Sequence, residues 1–121
     1  MLILFVEHHA AFRQASSHLT EREADVEAVT QAGSVREGRE KMAEGNLDVA
    51  VVSVPLPEEG AAKMVGELHG ANPSVPVLVL TRAGDPRELE AFLGAGASEV
   101  LSLESTFAQI LKAVRRLGGE A

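Results

Sequence analysis

The sequence predicts a parallel, doubly wound α/β sheet, and three observations carry that prediction. Two runs, Leu47 to Ser53 (LDVAVVS) and Val75 to Thr81 (VPVLVLT), are short, almost continuously apolar and rich in valine, the composition of strands buried on both faces. Segments whose apolar residues recur every three or four positions lie between such runs, so strand and helix patterns alternate along the whole chain. The 121 residues, 45% of them hydrophobic, suit one unit spanning 1–121 whose core needs no staple, and cysteine is absent.

Leu2 to Val6 (LILFV) is too short for a helix and stops at Glu7, His8 and His9, so it is the first strand. From about Ala10 to Leu19, Phe12, Ala15, Ser16 and Leu19 recur at helical spacing and are expected to face the sheet. Asp25 to Thr30 alternates as DVEAVT, the pattern of an edge strand with one wetter face, and Gly33 turns the chain. Ser34 and Glu37 fit a capping box that opens a second helix to about Glu44, with Val35, Gly38, Met42 and Ala43 inward and Gly45-Asn46 closing it. The central strand from Leu47 ends at Ser53, because Pro55 and Pro57 lack an N–H and restrict the residues before them. Ala62, Met64, Val65 and Leu68 mark a third helix that ends near Gly70, ahead of the Val75–Thr81 strand. Asp85-Pro86-Arg87-Glu88 combines an N-cap acid, proline at the first helical position and an acid at the third; Leu89, Phe92 and Leu93 then face inward until Gly94 and Gly96. Glu99 to Ser102 is a short last strand. Thr106 caps a final helix with the stripe Phe107, Ile110, Leu111, Val114 and Leu117, ahead of Gly118-Gly119.

Composition excludes several functions. A net charge of −7 opposes the broad phosphate-neutralising surface of a nucleic-acid binder, and 3% aromatics without Trp or Tyr leave no platforms for stacked bases. No basic amphipathic stretch suggests a membrane surface, and the five apolar residues between Met1 and Glu7 are fewer than a signal peptide or a membrane span needs. Without cysteine there is no thiolate nucleophile or thiolate metal site, and a cytoplasmic location is expected. In open parallel sheets ligands and chemistry sit at the carboxyl ends of the strands, which directs attention to Ser53.

VEHHAAFR from Val6 to Arg13, DVAVVSVPLP from Asp48 to Pro57, VPVLVLT from Val75 to Thr81, and Ala95-Gly96-Ala97 together resemble the response-regulator receiver domain in order and spacing. This is the CheY-like member of the flavodoxin-like folds, and the resemblance is strongest to receivers that precede a LuxR-type helix-turn-helix. It implies a five-stranded sheet in the order 2-1-3-4-5 with five helices. It also implies a phosphoryl-accepting aspartate at the end of strand three, two acids after strand one that hold Mg²⁺, a hydroxyl residue ending strand four and a lysine after strand five. An aspartyl phosphate needs a carboxylate nucleophile, a cation that neutralises carboxylates and phosphate together, and a positive charge where charge develops.

This chain departs from that pattern at most of those places. Ser53 stands for the aspartate, Glu7 keeps one acid, His8 replaces the other, Leu103 stands for the lysine, and only Thr81 is retained. Val100 stands where an aromatic rotamer partner of the threonine is usual. A unit charge pair at about 4 Å is on the order of 4 kcal/mol at an effective dielectric of 20, so the missing lysine alone is a large loss. These departures predict a degenerate pseudo-receiver: not an enzyme, without cofactor or metal, with Glu7, His8, Ser53, Thr81 and Leu103 as a vestigial phosphorylation pocket.

Such a module would act through protein partners, as a homodimer or with an output domain or signalling protein, in two-component or transcriptional regulation. Interface candidates are Glu88 and Val100 with Lys112 and Arg115, since the fourth helix is acidic and the fifth basic. The alternatives are a working phosphoacceptor that uses another residue, or a small metal- or ligand-binding module at the same pocket, because imidazoles at His8 and His9 beside Glu7 suit zinc or copper.

Overall fold

A computed structural model describes residues 1–54, 60–82 and 86–119. Five strands, β1 (Leu2–Val6), β2 (Ala28–Ala32), β3 (Val49–Ser53), β4 (Val77–Thr81) and β5 (Glu99–Ser102), alternate with five helices. These are α1 (Ala10–Glu21), α2 (Val35–Glu44), α3 (Ala61–Ala71), α4 (Pro86–Gly94) and α5 (Phe107–Gly118). Every strand pair is parallel and the sheet order is β2-β1-β3-β4-β5, the order the sequence predicted. All five residues of β3 and all five of β4 are buried, which is why these two segments read as unbroken apolar runs.

The strands are shorter at their amino ends than the apolar runs suggested. β2 starts at Ala28 instead of Asp25, β3 at Val49 instead of Leu47 and β4 at Val77 instead of Val75, although Val26 and Val75 remain buried in the lead-in segments. Apolarity reports burial, and burial extends past the last ladder hydrogen bond. Ser34 Oγ accepts from the Glu37 N–H at 3.1 Å, so the predicted cap forms, while the reciprocal box is made at α5, between Thr106 and Gln109. Gly45 at φ 78° and Asn46 at φ 61° take the left-handed turn that ends α2. The prolines at 55 and 57 and the cap at Asp85 lie outside the described residues.

Helices α2, α3 and α4 cover one face of the sheet, where Val35, Met42, Met64, Val65, Leu68 and Phe92 pack against Leu4, Val6, Val52 and Val79. On the other face α5 supplies Ala113 and Val114 against Ile3, Phe5, Val51 and Leu80. Helix α1 lies on that second face and contributes no apolar side chain to either core; its one buried residue is Ser17, whose hydroxyl has no hydrogen-bond partner among the described residues. The predicted α1 stripe is therefore rotated away from the sheet, and of its residues Ser16 stays turned toward it. Phe12, Ala15 and Leu19 are exposed, and Arg13, Ser16, Ser17 and Thr20 are turned toward the sheet. Ala43, Leu89, Leu93 and Phe107 are likewise exposed instead of inward.

Helix α5 is tied across the sheet edge by its arginines. Arg115 Nε donates to Asp25 Oδ2 at 2.8 Å, and its Nη2 donates to Asp25 Oδ1 at 3.0 Å and to Glu23 Oε1 at 2.9 Å. Hydrogen bonding from this guanidinium is the main reason that the Asp25 carboxyl sits below the usual carboxylate range. A carboxyl depressed in the folded state contributes stability above its unfolded pKa and loses it as pH falls through the folded value. Asp25→Asn is therefore expected to lower the urea midpoint at neutral pH, with the deficit against the parent closing as pH is taken down toward about 3. A deficit that stayed constant over that range would separate the effect from the charge.

Candidate functional site

A pocket of about 370 Å³ opens at the carboxyl edge of the sheet, lined by Glu7, His9, Phe12, Ser53, Val54, Arg82 and Leu103. It lies at the reversal of strand order, where β1 and β3 run side by side and their following loops diverge to opposite faces. Ser53 is the last residue of β3, opposite Leu80 of β4, and is 3% exposed; its hydroxyl has no partner among the described residues. An unpaired buried hydroxyl is costly, and a serine with no base against it has no means of activation as a nucleophile.

Glu7 follows β1 and is 5% exposed. Its backbone N–H extends the β1–β2 ladder to Ala32 O at 3.0 Å, and its carbonyl accepts from Arg13 Nη1 at 2.8 Å. Its Oε1 accepts the His9 backbone N–H at 3.1 Å and lies 2.8 Å from His9 Nδ1. The carboxylate thus caps the amino end of α1, whose N-cap position, His9, makes no side-chain cap. His9, two residues on, therefore engages one of the two carboxylate oxygens of Glu7.

Of the five residues predicted for the pocket, the structure brings Glu7, Ser53 and Leu103 together around it. His8 is exposed, stacked edge-on to His9 with ring centroids 5.5 Å apart, and is not part of the lining. Thr81 is buried at 6% exposure in the β4 end, opposite Ser102; its carbonyl accepts from the Leu103 N–H at 2.9 Å, which brings Leu103 to the edge. His9, Phe12, Val54 and Arg82 complete the pocket wall; the sequence pointed to His9 only as a metal ligand and did not point to Arg82. His9 folds back on Glu7, and Arg82 follows Thr81 directly, a position at the carboxyl edge that could have flagged it. Among the described residues no group of three or more His, Asp and Glu converges as metal ligands, and no helix is long and apolar enough to cross a membrane.

The interface candidates separate. Lys112 is exposed on α5, Glu88 is half-buried in the first turn of α4, and Val100 is half-buried against the α2–α4 core. Arg115 spends its donors on Asp25 and Glu23 of its own chain, and Arg116 pairs with Glu99. The basic face predicted for α5 is thus largely neutralised within the chain.

A five-stranded parallel sheet of this order, with a pocket over the ends of β1 and β3, defines the flavodoxin-like doubly wound class, to which receiver domains belong. The chain belongs to the response regulator receiver domain family, whose model matches residues 3–115. It is 28% identical over 117 residues to the DNA-binding transcriptional activator DevR/DosR of Mycobacterium tuberculosis, covering 96% of this chain and 54% of that protein, so it spans about half the length of that curated relative. Among solved structures it superposes on a LuxR-family two-component response regulator from an Aurantimonas species, with TM-score 0.85 and 22% identity, over 95% of this chain and 82% of the other. The beryllofluoride-activated NtrC4 receiver domain dimer superposes with TM-score 0.83 and 20% identity, over 97% and 95%.

Proposed function

We propose that residues 1–121 form an atypical receiver that signals through protein contacts without phosphorylation of an aspartate. The observation that carries the reading is Ser53, a buried hydroxyl with no partner among the described residues, at the position from which a receiver's carboxylate would attack. The rest of the pocket supports it. Magnesium holds near-ideal octahedral oxygen geometry and is normally bound through carboxylates and phosphate. Among the described residues the lining offers one carboxylate, whose Oε1 is engaged by His9; His8 is turned to solvent, and aliphatic Leu103 fills the lysine position. These residues do not fit the cation.

Partners would be a second copy, an output domain or another signalling protein, as the dimeric NtrC4 receiver and the DNA-binding DevR/DosR suggest by analogy. Direct contact with nucleic acid or membrane is not part of the reading, in keeping with the charge of −7, and the setting is a cytoplasmic two-component or transcriptional pathway. The test is incubation with acetyl phosphate and Mg²⁺ followed by intact-mass measurement. No added phosphoryl mass is expected; stoichiometric addition would overturn the reading and direct attention to a different acceptor residue.

A further inference from the structure

The pocket at the carboxyl edge holds more polar capacity than the chain itself uses. Three neighbouring strand ends bring up an acid, a hydroxyl and a base in a row: Glu7 after β1, Ser53 at the end of β3 and Arg82 after β4. Val6 pairs with Val52 and Ser53 with Leu80, so the row follows from the register of parallel strands. Ser53 is 3% exposed, lines the pocket and has no hydrogen-bond partner among the described residues. Arg82, exposed at the rim, makes no hydrogen bond or ion pair among the described residues. Of the Glu7 carboxylate, Oε1 is engaged by His9 and Oε2 has no such bond among the described residues. A buried hydroxyl without a partner lowers stability, and in a native site it marks a place where the partner comes from outside the chain.

We infer that this pocket binds a small zwitterion of the α-amino-acid class, its ammonium toward Glu7, its carboxylate toward Arg82, the Ser53 hydroxyl bonded between them and an apolar side chain against Phe12, Val54 and Leu103.

Charge decides the class. Phosphate or a dicarboxylate would meet the Glu7 carboxylate and a chain of net charge −7, with an exposed guanidinium to hold it. A simple cation would meet Arg82. A molecule carrying both charges answers both groups at once. Dimensions agree with an amino acid. Adjacent strands lie about 4.8 Å apart, so the β1 and β4 ends stand roughly 10 Å apart across β3. The amine nitrogen and carboxyl carbon of an α-amino acid are about 2.5 Å apart, which leaves room for a glutamate and an arginine to reach in from either side. The volume of about 370 Å³ is near the lower end of the range for small-ligand sites. Phe12 is 49% exposed, and an apolar ligand side chain laid on it removes that surface from water.

This inference deepens the reading above, since it rests on a pocket that takes no aspartyl phosphate, yet the two fail separately. Binding is measured without a phosphoryl donor, and the acetyl phosphate result is read without amino acid present. Isothermal calorimetry of the 121-residue chain is expected to show saturable binding of L-leucine or L-phenylalanine with a dissociation constant below about 1 mM. Isocaproate and hydrocinnamate lack the ammonium, and isopentylamine and phenethylamine lack the carboxylate; each is expected to bind about 10-fold more weakly than its parent amino acid, or worse. Ser53→Ala is expected to raise the urea midpoint, because it removes an unpaired buried hydroxyl, and at the same time to weaken binding about 10-fold. Arg82→Gln is expected to weaken binding by a similar factor at unchanged stability, while Lys112→Gln, the same loss of charge at an exposed position on α5, leaves binding unchanged. No saturable binding of either amino acid up to about 10 mM overturns the inference. So does equal binding of the singly charged analogues, or a Ser53→Ala variant that gains stability and keeps its affinity.

Discussion

Ser53→Asp, the substitution that restores the family's acceptor, is expected to destabilise the domain by about 3 kcal/mol at neutral pH and still to leave it unlabelled by acetyl phosphate. The new carboxylate would lie in a site 3% exposed, on the strand next to Glu7, with backbones roughly 5 Å apart, and the aliphatic Leu103 offers it no counter-charge. Arg82 lines the same pocket but is exposed, so its compensation is screened by water and salt. Burial and the Glu7 charge both favour the protonated form, which places the folded pKa of the new group above its unfolded value. Stability is then intact at low pH and is lost as pH rises through that folded pKa, so the deficit against the parent narrows on acidification. Urea unfolding at about pH 7 and about pH 5 reads this directly. A Ser53→Asp variant as stable as the parent at neutral pH would mean that the pocket already supplies the missing positive charge.

The same reasoning orders the repair. Adding Leu103→Lys to Ser53→Asp supplies the counter-charge and is expected to recover most of the lost stability. Labelling is expected only when His8→Asp is included, because Glu7 Oε1 is engaged by His9 and a cation needs a second carboxylate. Labelling of the single Ser53→Asp variant would show that the absent acid and lysine are dispensable here.

The fold was legible because the buried runs around Val49–Ser53 and Val77–Thr81 are unambiguous, and their order with the intervening helices leaves few topologies. Helix α1 was legible as a helix but not in its orientation. Its twelve residues mix alanine, serine and threonine on every side, so periodicity finds Phe12, Ala15 and Leu19 in line without saying that the line faces outward. At the site, Glu7, Ser53 and Leu103 come to line one pocket because strand ends depend on backbone register. The role of His9 depends on a side chain folding back over two residues, and the pairing of Arg115 with Asp25 spans ninety positions. Neither leaves a periodic trace.

Gly96→Ala is expected to cost about 3 kcal/mol, which for a domain of this size lowers the unfolding temperature by roughly 10 °C. Two separate physical terms contribute. Gly96 ends α4 in a Schellman turn: its N–H donates to Leu93 O at 3.1 Å and the Ala97 N–H donates to Phe92 O at 3.0 Å, which requires a positive φ, 118°. A side chain there costs about 1–2 kcal/mol in backbone strain alone. A Cβ at this position would also stand 2.5 Å from the His69 ring of α3, a ring whose Nδ1 is already buried with no partner among the described residues. The terms separate in a double-mutant cycle with His69→Ala, which removes the ring contacts at 2.5 Å, keeps the His69 Cβ at 2.9 Å and leaves φ unchanged. A coupling of about 1–2 kcal/mol between the two substitutions is expected, with the remainder of the Gly96→Ala loss persisting in the double variant. Strict additivity would mean that α3 and α4 shift apart freely and that the turn before β5 is held by its hydrogen bonds alone.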